Sequence, residues 1–504
     1  MSRPAAIAGA VAMAFALLVA YLVSITALPF PPLALGQAII EALPGWISIP
    51  LIELLQHWAQ RLLVIGVLGL YLVVAVATGL ASVSPRVATA AVVALGALPW
   101  LATVVLAQVL AGEKVDLGGD LLASAVGAGA FFAGLSFLLS AERVATPAGD
   151  TRRRAFIGAL VAAGVVAVVS TTLGSAARAA RSRAEPILLA ARHLRTKEQV
   201  SAADPAFESI ARLTPRITRN EDHYTVDTAL IKPRVDAGTW KLEVAGEVER
   251  PFSITYGELL DLDAVERPHT LECISNEIGG DLTSTAIWTG VPMADLLGRA
   301  SPKAGGYDVV LTSVDGYTDS IRVAKALDPD TLVAYLMNGY TLPEDHGYPA
   351  RALIPGIYGM KNVKWLRRIE VVSYDYQGYW MERGWSDIAA YNTHVRIDTP
   401  SSAPRLVDGK VFVAGIAFAG QRGISRVELS TDGGKAWTDA ELEPPMGRHT
   451  WRRWRYVWTP PAPARYRLVA RAIDGEGQVQ TSVRRPPFPD GSTGYDSVEV
   501  GITA

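Results

Sequence analysis

The sequence predicts a multidomain chain in three parts: an α-helical membrane bundle, then an α+β domain, then an all-β sandwich. Half of the 504 residues are hydrophobic, and the mean hydropathy of +0.23 is high for a purely soluble protein. This apolar excess is concentrated before residue 175. The rest of the chain is rich in Gly, Pro, Asp and Arg, and near residue 403 its pattern changes from mixed helix and strand to closely spaced strands.

Residues 1–174 are the predicted membrane domain. A helix needs about 20 apolar residues to cross a bilayer. Uncharged runs of about that length predict five transmembrane helices, over residues 5–28, 62–81, 87–110, 121–140 and 155–174. The segment 29–60 between the first two is interrupted by prolines and by Glu41 and Glu53, so we expect it to rest on the membrane surface.

The distribution of Lys and Arg in the short loops predicts the orientation, because the richer side is cytoplasmic. One side of a five-helix bundle carries Arg3, Arg86, Arg143, Arg152, Arg153 and Arg154, and the other carries Arg61 and Lys114. The N-terminus is therefore expected inside, and everything after residue 175 outside the cytoplasm. A group of arginines just after the fifth helix runs against this rule: Arg178, Arg181, Arg183 and Arg192.

No haem is expected in this chain. A b-type haem held between helices usually has two His ligands, and His57 is the only histidine before His193. The sequence also lacks the C-x-x-C-H motif that attaches a c-type haem. The predicted helices are therefore interpreted as an anchor or as a docking surface for a partner.

The part after the membrane domain is predicted to contain a linker (175–214), an α+β domain (215–402) and a β-sandwich (403–504). In the α+β domain, "YDVVLTSVDGY" and "LRRIEVVSYDY" have the pattern of strands, and "MADLLGRA" that of a short helix. In the last part, strand-like segments alternate with the turn sequences "DGG", "PPAPA" and "DGEG". The net charge of −2, without a basic stripe, does not favour nucleic acid as a partner.

Cys273, in "HTLECISNEIGGD", is the only cysteine of the chain and cannot form an internal disulfide. One interpretation is a buried thiol that packs like a small apolar residue. The other is a soft thiolate ligand for a metal. Because the sequence has no C-x-x-C, no H-E-x-x-H and no cluster of histidines, most other ligands of such a metal must come from a cofactor.

Residues from about 215 to 503 resemble the sulfite oxidase family of molybdopterin enzymes. "LTPRITRNEDHYTVD" is similar to the first cofactor-contacting segment of that family, "LECISNEIGG" to its cysteine loop, and "LVAYLMNGYTLPEDHGYPARALIPGIYGMKNVKWLRRIEVV" to its long signature. "ISRVELSTDGGKAWTDAEL" and "YRLVARAIDGEGQVQ" resemble its dimerisation domain. These segments occur in the family's order. The resemblance implies a sulfite-oxidase-type molybdopterin domain followed by an immunoglobulin-like dimerisation domain, and that a homodimer can form.

The resemblance also implies the site residues. Cys273 is the expected protein ligand of a molybdenum that the dithiolene of molybdopterin also holds. The matching motifs imply further cofactor contacts from Asn220, His223, Tyr224, Ser313 or Asp315, His346, Arg351, Asn362, Val363 and Lys364. This assignment is chemically sensible because the pterin ends in a phosphate, for which Arg351 offers a forked donor and Lys364 a point charge. Backbone amides of the Gly-rich "PGIYGMKN" turn are also expected to approach it.

Two departures from the family pattern concern the substrate. Sulfite oxidases proper have an arginine in the loop after the metal-binding cysteine, whereas "ISNEIGGD" has no basic residue and contains Glu277. Trp385 occupies the position of the family's active-site tyrosine. Arg219 and Arg383 are candidates for replacing the missing anion-binding charge.

The resemblance therefore implies a membrane-anchored molybdopterin oxidoreductase that transfers an oxygen atom to or from a small substrate. The alternative on the same fold is a reductase of sulfoxides or other small oxides. The alternative from another class is a cofactor-free surface protein for binding or assembly. Since the sequence has no haem or iron–sulfur motif, the enzyme needs a separate electron carrier, either a cytochrome or a membrane partner.

An export motif lies within the chain. "TRRRAFIGA" fits the twin-arginine pattern through Arg153, Arg154, Phe156 and Ile157. The alternative is an ordinary positive-inside cluster before a helix. A cofactor-loaded domain folds in the cytoplasm and requires a route that moves folded protein, which the twin-arginine route does. We therefore expect a multi-pass protein of the cell membrane, with the catalytic domain on the extracytoplasmic face.

Overall fold

A computed structural model describes residues 2–24, 29–55, 58–111, 117–143, 188–230, 232–404 and 406–503. The chain divides into two compact units. One contains Met1–Glu185 and Thr228–Ile231, and the other contains Pro186–Asp227 and Lys232–Ala504. His57, the predicted fifth helix (155–174) and the predicted export residues Arg153, Arg154 and Phe156 lie outside the described residues.

The first unit is helical. Its helices are α1 (Ser2–Ser24), α2 (Pro31–Ala42), α3 (Gly45–Leu55), α4 (Ala59–Ser82), α5 (Thr89–Ala111) and α6 (Leu117–Arg143). In the described residues, four helices (α1, α4, α5 and α6) are long and apolar enough to cross a membrane. Helices α2 and α3 form a pair bent by 115° over the segment predicted to lie on the membrane surface. That surface location stays a prediction.

Small residues let α1 and α4 approach closely. A Cβ added to Gly9 would lie 2.2 Å from the Ala75 carbonyl oxygen, and one added to Gly79 would lie 2.2 Å from the Ala5 carbonyl oxygen. Glycine at these positions therefore permits direct contact between the two helix backbones, as is common in membrane bundles. Tyr71 of α4 adds a polar contact to α5, because its hydroxyl lies 2.6 Å from Thr103 Oγ1.

The second unit begins with two sheets. The first has the described strand order β1-β4-β5-β8-β10, with β9 paired to β8, and the second has the order β3-β2-β11-β6-β7. Their bounds are β1 Leu194–Lys197, β2 Lys241–Gly246, β3 Phe252–Thr255, β4 Ala264–Glu272, β5 Thr283–Pro292, β6 Asp308–Ser313, β7 Thr318–Arg322, β8 Leu332–Met337, β9 Tyr340–Thr341, β10 Arg351–Leu353 and β11 Leu366–Val372. The short helices are α7 Pro205–Glu208, α8 Tyr256–Leu260, α9 Met293–Ala300 and α10 Val323–Ala326.

An apolar core shared by both sheets holds this α+β region together, with members such as Leu242, Val309, Val333 and Ile369. The helix predicted from "MADLLGRA" is confirmed as α9. It buries one face through Met293, Leu296, Leu297 and Ala300, which is the spacing of an amphipathic helix. The predicted strands in "YDVVLTSVDGY" and "LRRIEVVSYDY" are confirmed as β6 and β11.

The last region is a sandwich of two antiparallel sheets with the orders β12-β13-β17-β16 and β15-β14-β18-β19. Its strands are β12 His394–Thr399, β13 Val411–Phe418, β14 Ile424–Ser430, β15 Thr438–Asp439, β16 Glu441–Leu442, β17 Arg452–Trp458, β18 Arg465–Asp474 and β19 Asp496–Gly501. Its core includes Val413, Val427, Trp454 and Leu468. The predicted fold class is thereby confirmed. The domain boundary at residue 403 stays a prediction, and β12 precedes it.

Candidate cofactor site

Cys273 follows directly after β4, at the start of a loop that returns to β5. The loop, residues 273–282, is closed by two backbone hydrogen bonds. The Cys273 N–H donates to the Leu282 carbonyl oxygen (2.9 Å), and the Asn276 N–H donates to the Cys273 carbonyl oxygen (3.0 Å). The Cys273 side chain is buried. The antiparallel strand pair therefore presents a single thiol from a fixed turn at its end. We call residues 273–282 the cysteine loop.

The Asn276 side chain forms hydrogen bonds across the cysteine loop. Its Nδ2 donates to Glu272 Oε1 (3.0 Å), and its Oδ1 accepts from the Leu282 N–H (3.0 Å). Gly280 has no room for a side chain, because a Cβ there would lie 2.4 Å from Asn276 Oδ1. One amide side chain thus links both ends of the loop. Asn276 is a residue that the sequence analysis did not single out.

The Cys273 thiol is buried and is preceded along the chain by a second buried titratable group, Glu272. Burial raises the pKa of Cys273, and a hydrogen bond with Ser275, whose Oγ lies 3.0 Å from Sγ, opposes this. Burial also raises the pKa of the neighbouring Glu272 to about 8. Glu272 Oε2 lies 3.3 Å from Nδ1 of His394. A metal cation bound by the thiol would stabilise its charged form, which burial alone disfavours.

Three tyrosines lie near this end of the strand pair; Tyr358 and Tyr391 are buried, and Tyr224 is partly buried. Tyr358 and Tyr391 meet edge to face with 4.8 Å between ring centroids, and the Glu272 N–H donates to the Tyr391 hydroxyl (3.4 Å). Burial raises the pKa values of Tyr224, Tyr358 and Tyr391, and the charge of Cys273 raises them further. Only Tyr224 belongs to the predicted set. Tyr358 lies in the "PGIYGMKN" turn, which the sequence analysis selected for its glycines.

That turn packs closely against Tyr224. A Cβ at Gly359 would lie 2.6 Å from the Tyr224 hydroxyl oxygen, so only glycine fits there. Asn362 holds the turn, since its Oδ1 accepts from the Ile354 N–H (2.6 Å) and its Nδ2 donates to the Tyr358 carbonyl oxygen (3.1 Å). Val363 is buried and joins the core of the α+β region.

Arg351, the first residue of β10, is a buried cation. Its Nη1 donates to the His346 carbonyl oxygen (3.2 Å) and its Nη2 to the Asn362 carbonyl oxygen (3.1 Å). Its guanidinium lies over the Trp288 ring at 5.2 Å from the centroid. Burial lowers its pKa to about 10, so it stays charged at neutral pH. Neutral carbonyls and an indole face are its described partners, and a bound anion would stabilise its charge further.

Lys364 is a second cation, partly buried, with a side chain that is 13% exposed. It forms an ion pair with Asp227, and its Nζ donates to the Asp345 carbonyl oxygen (2.9 Å). Burial lowers its pKa, and Asp227 opposes that effect. The charge of Lys364 lowers the pKa of the Cys273 thiol. The charge of Cys273 raises the pKa of Tyr224, and the charge of Arg351 lowers it. The thiol, the tyrosine and the two cations therefore belong to one electrostatic environment.

Two predicted histidines complete this side of the site. The His223 and His346 rings meet edge to face at 5.0 Å, and His346 Nε2 lies 2.8 Å from the Asn220 carbonyl oxygen. Burial lowers the pKa of His346 to about 4 and that of His223 well below its usual value, so both rings are neutral at pH 7. Among the described residues, His223 Nε2 is buried without a hydrogen-bond partner. Such an orphaned atom points to a missing ligand.

The other predicted residues have different surroundings. Asn220 Nδ2 donates to the Met337 carbonyl oxygen (3.2 Å). Asp315 accepts the Tyr317 N–H through Oδ1 (3.0 Å), which is a local turn contact. Within the described part of the chain, Ser313 Oγ is buried without a hydrogen-bond partner. Asn220 and Asp315 thus have protein partners, whereas the Ser313 hydroxyl can accept a ligand.

Arg219 and Trp385, the predicted catalytic residues besides Cys273, also have partners elsewhere. The Arg219 side chain is 70% exposed and pairs with Asp222 (2.7 Å) and Glu221 (3.1 Å). The Trp385 side chain is buried between Trp380 and Phe488, with ring centroids 6.2 and 5.3 Å away. A role for either residue at the thiol stays a prediction.

The donors present fit a molybdopterin cofactor. In the described residues, no three His, Cys, Asp or Glu side chains come together to hold a metal, so a metal at Cys273 needs ligands from a cofactor. Arg351 and Lys364 suit a phosphate. His223 Nε2 is free to bond to a polar atom of the pterin. One sulfur ligand, two cations and one orphaned ring nitrogen match a ligand that is anionic and carries a metal with affinity for sulfur.

Comparison with known proteins gives two family matches. A model described as "Oxidoreductase molybdopterin binding domain" matches residues 229–380. A model described as "Mo-co oxidoreductase dimerisation domain" matches residues 387–483. The first match contains Cys273, Arg351 and Lys364, and the second covers most of the sandwich.

Sulfite oxidases are among the similar proteins. That of Gallus gallus is 30% identical over 330 residues, which cover 55% of this chain and 70% of the chicken protein. The mitochondrial enzyme of Rattus norvegicus is 30% identical over 302 residues, covering 50% of this chain and 55% of the rat protein. That of Arabidopsis thaliana is 28% identical over 300 residues, which cover 48% of this chain and 76% of the Arabidopsis protein. This chain thus spans only about half of the length of the mammalian relatives.

Among solved structures, the sulfane dehydrogenase SoxCD from Paracoccus pantotrophus is similar, with a TM-score of 0.51 and 22% identity. The match covers 58% of this chain and 85% of the other. At this identity the likeness shows a shared fold. It supports the order of an α+β domain followed by a β-rich domain.

Proposed function

Because the chain belongs to the sulfite oxidase family of molybdopterin-dependent oxidoreductases, we propose that it transfers an oxygen atom at a molybdenum held by Cys273 and molybdopterin. The observation that carries this proposal is the buried Cys273 thiol, which the cysteine loop presents from a fixed turn, together with the buried Arg351 guanidinium and the orphaned His223 Nε2. A protein without a cofactor would bury the Arg351 charge and the His223 Nε2 at a cost in stability.

When bound, the molybdenum cofactor would supply the redox chemistry: it would give an oxygen atom to the substrate while accepting two electrons, or take an oxygen atom from the substrate while donating two electrons. The chain supplies the other functions. Cys273 contributes its sulfur, and the cysteine loop fixes its position. Arg351 and Lys364 bind the phosphate of the pterin. The buried Tyr358 and Tyr391 side chains, with the partly buried Tyr224, would limit the access of bulk water to this end of the strand pair.

Sulfite oxidation is the first candidate reaction, because the family is named for it and sulfite oxidases are among the relatives at 28 to 30% identity. Reduction of sulfoxides or other small oxides is the second candidate. It is favoured because the residues expected to bind a substrate anion are missing or already have protein partners. The cysteine loop has no basic residue, Arg219 pairs with two acids at the surface, and Arg383 donates to the Tyr379 carbonyl oxygen (2.9 Å). A neutral substrate does not require a free cation.

We propose that the N-terminal helices anchor the enzyme in the cell membrane, with the catalytic part on the extracytoplasmic face. Four helices of sufficient length and apolarity support the anchor, and the loop arginines support the orientation. A separate carrier, a cytochrome or a membrane partner, would exchange electrons with the site. The family of the sandwich supports a homodimer.

A substrate panel tests the reaction. The full chain, purified in detergent, would be assayed for sulfite oxidation with artificial electron acceptors and for sulfoxide reduction with artificial donors. The proposal expects one of these activities, and expects Cys273→Ser to abolish it. Oxidation of sulfite would identify the first candidate, and activity with sulfoxides alone the second. If Cys273→Ser kept the activity of the unmodified protein, the proposal would be contradicted.

A further inference from the structure

The sandwich contacts the cysteine loop at three places. We propose that the sandwich, through Arg396 and Ser492, positions the cysteine loop so that Cys273 can bind its metal. This task lies within a single chain and is additional to the dimerisation for which the matching domain is named. The inference rests on the proposed function, because it assigns positioning residues to the same site.

The first contact comes from Arg396 on β12. Its Nη1 donates to the Gly280 carbonyl oxygen (2.9 Å), and its Nε donates to Asp398 Oδ1 (2.7 Å). The Arg396 side chain is 13% exposed, and that of Asp398 is 6% exposed. A buried ion pair thus fixes the guanidinium that holds the far end of the cysteine loop. Such charge-assisted bonds are short and directional.

The second contact comes from Ser492, in the segment just before β19. Its hydroxyl donates to the Asn276 carbonyl oxygen (2.7 Å). Asn392 holds this segment, since its Nδ2 donates to the Asp490 carbonyl oxygen (2.9 Å) and the Gly491 carbonyl oxygen (3.2 Å). Gly491 has φ +86°, and a Cβ there would lie 2.3 Å from the Tyr358 hydroxyl oxygen. The segment therefore packs directly on a tyrosine that lies beside Cys273.

The third contact involves Gly279, which has φ +79°. A Cβ at Gly279 would lie 2.9 Å from Asp496 Oδ1. Asp496 is held in turn, because its Oδ2 accepts from the Ile397 N–H (2.8 Å). The tip of the cysteine loop thus lies against the start of β19, which is bonded to β12 at Ile397, and only glycine fits there without strain.

These contacts reach Cys273 through Asn276. The sandwich holds the loop at Asn276, Gly279 and Gly280. The Asn276 side chain bonds to both ends of the loop, at Glu272 and Leu282. A shift of the loop would therefore move the residue next to the metal ligand. Partners that orient a metal ligand typically change metal affinity or activity by about 10- to 100-fold when they are removed.

The test uses Ser492→Ala and Arg396→Gln in the full chain with its cofactor. Each removes one anchor without touching the predicted pterin contacts. We expect pterin content equal to that of the unmodified protein, kcat at least about tenfold lower with little change in KM, and an altered thiolate-to-metal absorption band. The matched control is Arg455→Gln, which removes a two-point ion pair with Glu441 (2.9 Å) elsewhere in the sandwich. It should behave like the unmodified protein.

A second readout does not depend on the cofactor. In protein produced without molybdopterin, loosening of the cysteine loop should make the buried Cys273 react faster with iodoacetamide in Ser492→Ala and Arg396→Gln than in Arg455→Gln. Equal reactivity, together with an unchanged absorption band, would overturn the inference while leaving the proposed function intact. If the protein never contains molybdenum, the proposed function fails, and the alkylation rates alone decide whether the sandwich positions the loop.

Discussion

The guanidinium of Arg351 lies over the indole ring of Trp288, with 5.2 Å between Arg351 Cζ and the ring centroid. Both side chains are buried, and the guanidinium also spans the carbonyl oxygens of His346 and Asn362. The Arg351 guanidinium, at the start of β10, thus contacts the His346 carbonyl, the Asn362 carbonyl and the Trp288 ring at the same time. A point charge cannot do all three.

Arg351→Lys is therefore not a conservative change. Lysine cannot reach both carbonyl oxygens at once, and a buried acceptor left without a donor costs about 1–3 kcal/mol. We expect at least about tenfold less pterin to remain with the purified protein, since about 1.4 kcal/mol corresponds to tenfold in binding. The pterin is measured by fluorescence after oxidation. Arg368→Lys, in a half-exposed pair with Glu370 and Glu243, is the control and should retain pterin. Full pterin content in Arg351→Lys would contradict this role.

Lys361 should contribute to stability and not to cofactor binding. It is 2% exposed, and its Nζ donates to Asp319 Oδ1 (3.0 Å) and the Ser320 carbonyl oxygen (2.8 Å). Lys361→Met leaves the buried Asp319 carboxylate unpaired, and breaking such a pair costs about 3–5 kcal/mol. Thermal melting of the full chain in detergent measures the loss.

Lys303→Met provides the comparison, because the Lys303 pair with Glu247 is about half exposed and such pairs contribute about 0–1 kcal/mol. Adding Asp319→Asn to Lys361→Met should recover part of the stability, since it removes the unpaired charge. A melting temperature of Lys361→Met close to that of Lys303→Met would show that the buried pair is not structural.

His394 predicts a loss of stability in acid. Burial lowers its pKa to about 4, and its Nδ1 lies 3.3 Å from Glu272 Oε2. Between pH 6.5 and 4 the unfolded chain binds a proton that the folded chain excludes, so stability falls as the pH falls through this window. One group of this kind accounts for about 3 kcal/mol at 1.36 kcal/mol per pKa unit.

The measurement compares the melting temperatures of the full chain and of His394→Gln at pH 7 and pH 5. The fall on acidification should be smaller in His394→Gln. Other buried histidines contribute equally in both proteins and cancel in the difference. An identical pH dependence in the two proteins would mean that His394 does not contribute.

Replacement of both Arg153 and Arg154 by Lys tests the proposed export route. Lysine keeps the charge but not the twin-arginine motif. We expect the first four helices to insert as before and the catalytic part to stay in the cytoplasm. Protease treatment of intact spheroplasts measures this, because a stranded domain is protected from digestion. Normal exposure of the domain in the double variant would refute the twin-arginine route.

Local patterns in the sequence predicted local structure well. The "MADLLGRA" segment forms α9, because a period of 3.6 residues places Leu296, Leu297 and Ala300 on one buried face of an amphipathic helix. The strand-like segments on either side of the predicted "PPAPA" turn form β17 and β18. Four of the predicted spans correspond to long apolar helices.

The site depended on contacts that no local pattern contains. The resemblance selected Arg351 and Lys364 by their motif; the structure buries Arg351 and pairs the partly buried Lys364 with Asp227. The Tyr391 hydroxyl accepts a hydrogen bond from the N–H of Glu272, the residue before Cys273. Tyr391 and Glu272 are 119 positions apart in the sequence. Asn276, in the loop itself, is recognisable only from its two hydrogen bonds. Such distant pairings are set by the tertiary fold.

The metal and pterin content of the purified full chain tests the central claim most directly. The protein would be produced in a cell able to make molybdopterin, and molybdenum, pterin and polypeptide would be measured in the same sample. The account predicts close to one molybdenum and one pterin per chain, and loss of the thiolate-to-metal absorption band in Cys273→Ser. Protein that is folded, as judged by its melting transition, but contains neither molybdenum nor pterin would contradict it and favour a cofactor-free surface protein.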